Sequence, residues 1–445
     1  MSRPIGIDLF AGAGGLSLGF EQGGFDVVAA VEIDPIHSAA HKYNFPHCAV
    51  LAQSVKTLTG ADIRKAAGIG KKLVDVVVGG APCQGFSLMG QRVLDDPRNS
   101  LVKDFVRLVS ELDANYFVFE NVKGITVGKH AQILDELIEA FKTIGYQVQL
   151  PWKVLNASNF GVPQNRERLI LMGCKKGLKL PEYPKLLTRA AGSRPLPLWA
   201  DLPDGPSCAD AIGDLPDAES LDALESSDEA RVEMGTPSAY AKAMREQVAD
   251  VTHVGYARKW DDTMLTSSRR SSHTDLSRER FAATVEGEIE PISRFLKLPS
   301  TGVSNTLRAG TDSARGAFTS PRPIHYKYAR CITVREMARL HGFPDWFRFH
   351  QTKWHGARQI GNAVPPPMAC AVAGELVRAM GYKVAKPAEV IILGNPDLLR
   401  FDMGQAAAHF GTPVLIAQRD RKDAPVKAVV IPGFAQIPGT EGISS

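Results

Sequence analysis

Residues 73–78 read Leu-Val-Asp-Val-Val-Val, a nearly unbroken β-branched run that opens at once into Gly79-Gly80. A strand with one wet face alternates apolar and polar residues, so a continuous run suits a strand buried on both faces. Burying both faces requires helices on each side of a sheet. The surrounding pattern supplies them. Apolar runs at 5–10, 25–31, 116–119 and 169–172 alternate with helix-like stretches at 16–22, 99–112 and 130–143, the last closed by Gly145. The expected fold class is α/β, a doubly wound, mostly parallel sheet with right-handed crossovers.

The texture changes near residue 180. Residues 181–237 are rich in Pro, Asp and Ser, and helix-like patterns return only at 333–341 and 366–379. The division expected is a first α/β part at 1–180, a smaller irregular domain at 181–325, a returning part at 326–385, and an appendage at 386–445. Apolar runs at 390–393 and 413–417 suggest that the appendage is strand–helix–strand, packed against the sheet as a structural add-on.

Composition narrows the class further. With 44% hydrophobic and 22% charged residues, the 445-residue chain has material for a large core, which excludes wholesale disorder. No apolar stretch approaches the roughly 18 residues of a membrane span. The start of the chain lacks signal-peptide anatomy. Six cysteines without a C-x-x-C pair do not form a disulfide scaffold. A cytoplasmic monomer without a bound metal is expected.

Charge is segregated. Residues 201–233 hold eleven acidic side chains against Arg231, whereas 294–339 hold nine basic ones against Asp312 and Glu336. A second basic block spans 151–180, with six basic residues and Glu167. Two basic blocks hint at phosphate contact.

Three places carry chemistry. Phe10-Ala11-Gly12-Ala13-Gly14-Gly15 follows a strand and precedes a helix, and Glu32 ends the next strand twenty residues after Gly12. Glycines let a backbone turn tightly against a ligand, and a carboxylate at that place can accept both ribose hydroxyls. Ser17 replaces the last glycine of the dinucleotide fingerprint, which disfavours NAD. Phe10 could stack on adenine. The second place is Gly79-Gly80-Ala81-Pro82-Cys83, where a buried strand delivers a cysteine to the carboxyl edge of the sheet. A buried cysteine is usually a small hydrophobe, but this polar glycine context makes a nucleophile as reasonable. Residues 88–100 beyond it read as a closing loop. The third is Glu120-Asn121, ending an apolar strand, with Arg166 and Arg168 downstream at a spacing that puts both on one face.

In this order, the motifs resemble those of the cytosine-5 DNA methyltransferase family. FAGAGG at 10–15, VEID at 31–34, GGAPCQGFS at 79–87, ENV at 120–122 and QNRERL at 164–169 are similar to its successive blocks. So are DAIGDLP at 210–216, TVREMARLHGFPD at 333–345 and RQIGNAVPPPMA at 358–369. The resemblance implies a Rossmann-like methyltransferase using S-adenosyl-L-methionine. It also implies a target recognition domain inserted at 181–325 to read double-stranded DNA. Cys83, Glu120, Arg166 and Arg168 would be catalytic. Phe10, Gly12, Gly14, Gly15, Glu32, Ile33, Ser54, Pro82, Leu101 and Asn362 would hold the donor. Ser54 stands where the family usually has an acidic residue. The basic 294–339 segment, with Arg308, Arg315 and Arg322, is expected to meet phosphate, and the acidic 201–233 stretch to face away. A paired restriction endonuclease acting separately is compatible. Two other readings stay open, a tRNA cytosine-5 methyltransferase and a catalytically silent DNA-binding relative.

Overall fold

The computed structural model describes residues 3–82, 99–127, 131–194, 200–247, 253–311 and 319–414. Eight strands form one sheet: β1 (Ile5–Leu9), β2 (Asp26–Val31), β3 (Ala49–Leu51), β4 (Val76–Gly79), β5 (Tyr116–Val122), β6 (Tyr146–Val148), β7 (Lys153–Asn156) and β8 (Glu167–Lys175). Their order is β3-β2-β1-β4-β5-β8-β6, and β7 also pairs with β8. Strands β1 to β5 are parallel, while β8 runs antiparallel to β5, β6 and β7. The chain winds outward from β1 to β3, then returns to place β4 on the other side of β1. The carboxyl ends of β1 and β4 therefore form a topological switch point, where open α/β sheets hold ligands.

The helices are α1 (Gly15–Gln22), α2 (Pro35–Asn44), α3 (Gly60–Ala66), α4 (Ser100–Glu111), α5 (Ala131–Thr143), α6 (Cys208–Ile212), α7 (Ala223–Ser226), α8 (Ala239–Met244), α9 (Asp275–Ala283), α10 (Val334–Leu340), α11 (Lys353–Asn362), α12 (Pro366–Met380) and α13 (Met403–Phe410). Period two in the strands sorts the core onto two faces. Val77, Phe117, Phe119, Leu169 and Leu171 face α4 and α5, which bury Val102, Phe105 and Val109, and Ile133, Leu137 and Phe141, at helical spacing. Val76, Val78, Tyr116, Val118, Ile170 and Met172 face Leu16 and Phe20 of α1 and Met368, Val372 and Leu376 of α12. The second face is thus covered by a helix that returns from almost two hundred residues away. Among the described residues no helix is long and apolar enough to cross a membrane.

The expected helices form within a residue or two of their anticipated bounds. The strands differ more. β4 begins at Val76 rather than Leu73, which is half exposed. Asp75 interrupts the run, and its carboxylate instead accepts the Ile5 amide at 2.7 Å, fixing the start of β1. Strands β3, β6 and β7 were not anticipated; each is only three or four residues long.

A third core joins α2, through Ala39, Ala40 and Tyr43, to α6, α10, Leu265, Leu298, Leu307 and the 343–349 aromatics. Residues 207–245 therefore pack on the returning part of the chain. Short strands β9 (Ala230–Arg231) and β11 (Met264–Leu265) pair there.

The two charged blocks also fold onto one another. Arg339 pairs with Asp345 at 2.5 Å and Asp214 at 3.3 Å. Arg330 holds Glu336 at 2.9 Å and Asp217 at 2.8 Å. Arg245 pairs with Asp214, Arg278 with Glu219, and Arg348 with Glu229 at 2.8 Å. The expectation that 294–339 meets phosphate is thereby corrected for Arg330, Arg335 and Arg339, which are almost wholly buried. A buried guanidinium costs several kcal/mol unless a carboxylate meets it, and Asp214 and Asp217 of the acidic stretch join Glu336 and Asp345 in that part.

The appendage is corrected as well. β12 (Val390–Ile392) pairs with β10 (Ala257–Lys259) of the inserted region, and α13 lies on α2. Gly394 N donates to Tyr43 O at 2.9 Å. The segment thus covers a helix instead of the sheet. Residues 413–414 form no strand, and 415–417 lie outside the described residues.

Candidate active site

A cavity of about 1370 Å³ opens at the carboxyl ends of β1, β2, β4 and β5. Phe10, Gly12, Gly15, Glu32, Ile33, Ser54, Pro82, Leu101, Glu120, Arg168 and Asn362 all line it. Eleven of the fourteen residues singled out from sequence thus meet at one place. Cys83 lies outside the described residues, as do positions 88–98 of the anticipated closing loop. Gly14 and Arg166 stand behind the wall.

The glycine loop leaves β1 through Phe10, whose φ of 61° lies in the left-handed region that non-glycine residues rarely adopt. Gly12 follows at φ 55°. Gly14, at φ 108°, is a packing glycine, since a Cβ there would run into the Phe45 ring. Gly15 packs as closely, against the Val364 carbonyl, and so draws the 361–364 segment to the loop. This approach places Asn362 on the cavity wall. Buried beneath the loop, Ser17 donates to Asp8 Oδ2 at 2.7 Å, which explains a serine where the dinucleotide fingerprint has glycine. Burial pushes the Asp8 carboxyl up to about 7. The ring of His41, bonded to Gly12 O at 3.3 Å, is pushed down to about 4 by burial.

Glu32 closes the nucleoside side. Its Oε2 accepts the Gly12 amide at 2.9 Å and its Oε1 the Asp34 amide at 2.8 Å. Burial raises its pKa, opposed by His37 and these two bonds. Asp34 caps α2 through the Ile36 and His37 amides.

At the other end stands Glu120, near the end of β5 and buried with Asn121. Arg168 Nε meets its Oε1 at 2.8 Å, and both side chains are 12% exposed. Burial raises the Glu120 pKa while Arg168 and Arg166 pull it down. The carboxylate rests against Gly80, where a Cβ would overlap Oε2. Asn121 Nδ2 donates to Ala81 O at 2.9 Å. The exits of β4 and β5 are thus tied together one residue before Pro82, itself on the cavity wall.

Arg166 and Arg168, expected on one face, make different contacts. Arg166 Nη1 donates to Leu307 O at 3.1 Å, and Nη2 to Gly361 O and Ala363 O, both at 2.8 Å. It fastens the late GNAV segment to β8. Its charge reaches Glu120 only through space.

Sequence reading missed part of the wall. Asp34, His37, Gln359, His350, Phe401 and Met403 also line the cavity. Asp34 and Gln359 sit inside motifs already quoted, so proximity to VEID and GNAV was a usable signal. Phe401 and Met403 belong to the appendage, pinned there by His350 Nε2 on Phe401 O at 3.0 Å and Gln351 N on Leu399 O at 3.0 Å. No motif announces them. Among the described residues, no group of His, Cys, Asp and Glu could hold a metal ion.

Comparison with known proteins places this arrangement. The profile of the C-5 cytosine-specific DNA methylase family matches residues 5–378. The chain is 57% identical over 422 residues to the type II methyltransferase M.XorII of Xanthomonas oryzae pv. oryzae, covering 95% of this chain and 96% of that one. It is 33% identical to the type II methyltransferase M1.HphI of Haemophilus parahaemolyticus, covering 84% and 86%. A crystal structure described as a candidate DNA modification methyltransferase from an E. coli prophage superposes with a TM-score of 0.66 at 32% identity, covering 85% of this chain and 100% of that one. Taken with the sheet order and the cavity, these matches show that the chain is an enzyme of the C-5 cytosine-specific DNA methylase family.

Proposed function

We propose that the protein transfers a methyl group from S-adenosyl-L-methionine to carbon 5 of a flipped-out cytosine in double-stranded DNA, through a covalent adduct of Cys83. The observation that carries this reading is the Glu120–Arg168 pair against Gly80, with Asn121 holding the Ala81 carbonyl. That junction sets Ala81 and Pro82 beside the carboxylate, and Cys83 is the next residue in sequence.

The cavity residues fit the donor. Gly12 leaves room for close approach, Glu32 keeps lone pairs free for ribose hydroxyls, and Phe10, Ile33, Ser54 and Leu101 form a wall for adenine. Buried Nε2 atoms of His37 and Gln359, without a hydrogen-bond partner among the described residues, offer further polar contacts. Bound there, S-adenosylmethionine supplies an electrophilic sulfonium methyl.

The chain's own residues prepare the acceptor. Cytosine C5 is a weak nucleophile because its ring is electron-poor. Addition of the Cys83 thiolate to C6 makes C5 enamine-like. Glu120, whose pKa burial raises, protonates N3 as the thiolate adds and recovers that proton when it leaves. Arg168 orients the carboxylate and presents its remaining N–H groups to the exocyclic oxygen. After transfer a base, which a water can provide, removes the C5 proton and the thiolate departs. The target must leave the duplex first, at a cost of a few kcal/mol.

The inserted region, at 181–325, is the proposed DNA reader, with residues 207–245 also bracing the returning part. Because M.XorII and M1.HphI are type II methyltransferases, a restriction–modification role in a bacterial cytoplasm is proposed too. The test combines the full chain, the donor and a duplex carrying 5-fluorocytosine. A stable adduct mapped by mass spectrometry to Cys83 is expected, and bisulfite sequencing of DNA from expressing cells gives the target. An active enzyme that never forms the adduct refutes the covalent route.

A further inference from the structure

Arg330, Arg335 and Arg339 of the basic 294–339 segment are buried in internal pairs, so phosphate contact has to come from other cations. One groove of about 680 Å³ stands out, lined by Arg269, Arg270, Ser272, Ser320, Arg322 and Lys353, with Glu225, Thr352 and Trp354 completing its wall. Four cations face one carboxylate. Glu225 is used by Arg270, at 2.5 Å. Among the described residues, the hydrogen bonds of the other three cations go to neutral groups. Arg269 Nε donates to the Glu225 backbone carbonyl at 3.4 Å, and Lys353 Nζ to the Arg270 carbonyl at 3.0 Å. Arg322 Nη1 and Nη2 bond Ile332 O at 2.9 Å and Ser271 Oγ at 2.7 Å. Among the described residues no carboxylate lies within ion-pair distance of these three.

A second, independent observation points to a ligand. Arg322 is only 8% exposed, and its Nε has no partner among the described residues; neither has the buried Oγ of Ser320. Leaving such donors buried and unmatched costs about 1–3 kcal/mol each. Thr352 caps α11, a ten-residue helix, so the positive end of that helix dipole adds to the same field. The mutual repulsion is visible in Lys353, whose pKa is lowered by burial and by Arg322 and Arg269.

We propose that Arg269, Arg322 and Lys353, with the hydroxyls of Ser272 and Ser320, seat phosphates of the DNA backbone beside the target site. The proposal rests on the DNA reading above. A backbone suits the groove better than a lone anion does. Three separate cations spread over this volume match a run of phosphodiesters. Thr352 and Trp354 also line the large cavity that holds Glu120 and Arg168, so the groove continues the path to the reacting base. Trp354 is fixed there by its Nε1 bond to Thr311 O at 3.2 Å.

The test measures duplex binding by fluorescence anisotropy across a salt series, for the wild type, Arg269→Gln, Lys353→Gln and the double variant. Removing one phosphate ligand should lower the slope of log K against log salt by about 0.9, and the double variant should lower it by about twice that. Binding of S-adenosylhomocysteine and the thermal midpoint, read in parallel, should stay at wild-type values and so report intact folding. Wild type and variants sharing one slope would overturn the site while leaving the DNA reading intact. A wild type that binds no duplex even at low salt would overturn both. Inorganic phosphate is the third arm. If it binds the groove tightly, with no effect of the variants on the duplex slope, the ligand is a free anion and the backbone assignment falls. Competition by phosphate only at ionic strengths that also release DNA supports the backbone.

Discussion

Asp8 permits a prediction with its sign and size worked from the structure. Its carboxyl is fully buried at the end of β1, with Oδ2 accepting from Ser17 and Oδ1 unpartnered among the described residues. Burial raises its pKa from 3.8 to about 7. Below pH 3.8 the folded and unfolded chains both hold the proton, and Asp8 imposes no pH dependence. Between pH 3.8 and about 7 the unfolded chain releases the proton while the folded chain keeps it. Stability is therefore lost as pH rises, and the loss is complete above the folded value. A gap of about three units at about 1.4 kcal/mol each makes the loss of order 4 kcal/mol. Asp8→Asn keeps the acceptor for Ser17 and cannot ionise. The margin of the variant over the wild type should be about 3 kcal/mol larger at pH 8.5 than at pH 4.5, where only about 1 kcal/mol of the loss has developed. Urea unfolding midpoints at several pH values measure the difference. Two parallel curves, or a variant that weakens as pH rises, would refute the buried-acid argument.

Other perturbations test the site more directly. Gly80→Ala puts a methyl group where Glu120 Oε2 lies, so methyl transfer should fall about 100-fold while donor affinity, by calorimetry, stays within a few-fold; a near-normal rate would show that the carboxylate position is unimportant. Arg168→Met leaves Glu120 buried without its 2.8 Å partner. Stability should drop by about 3–5 kcal/mol, and more at pH 8 than at pH 6, because the carboxyl pKa rises and ionisation above it is then unopposed; a pH-independent loss would contradict the pairing. Glu32→Gln should weaken S-adenosylhomocysteine binding about 10- to 100-fold, the value of a hydrogen bond to a charged group, and an unchanged affinity would remove Glu32 from the donor site.

How much of this was legible before the fold depended on where each signal lay along the chain. The long runs at β4 and β5, and helices α4 and α5 with their apolar spacing, follow from local pattern. The three short strands β3, β6 and β7 do not, since three or four residues carry no period and exist because a neighbour's open edge accepts them. The Ser17 substitution looked like a departure from a motif. It proved to be a bond to Asp8, nine residues earlier.

By itself the sequence determined the chemistry-bearing residue types and the order in which strands deliver them. That is why Phe10, Glu32, Glu120 and Arg168 could be named as one site from motifs alone. Tertiary structure decided which charges remain available. Arg330 and Arg339 looked like phosphate ligands in the linear charge count, yet they neutralise Asp217, Glu336, Asp214 and Asp345 inside a core. It also decided that Arg166 grips carbonyls from residues 307, 361 and 363, and that the appendage reaches the donor cavity. The physical reason is the same in each case. A local pattern reports what a residue can do, whereas pairing and burial depend on partners brought from a hundred or more positions away.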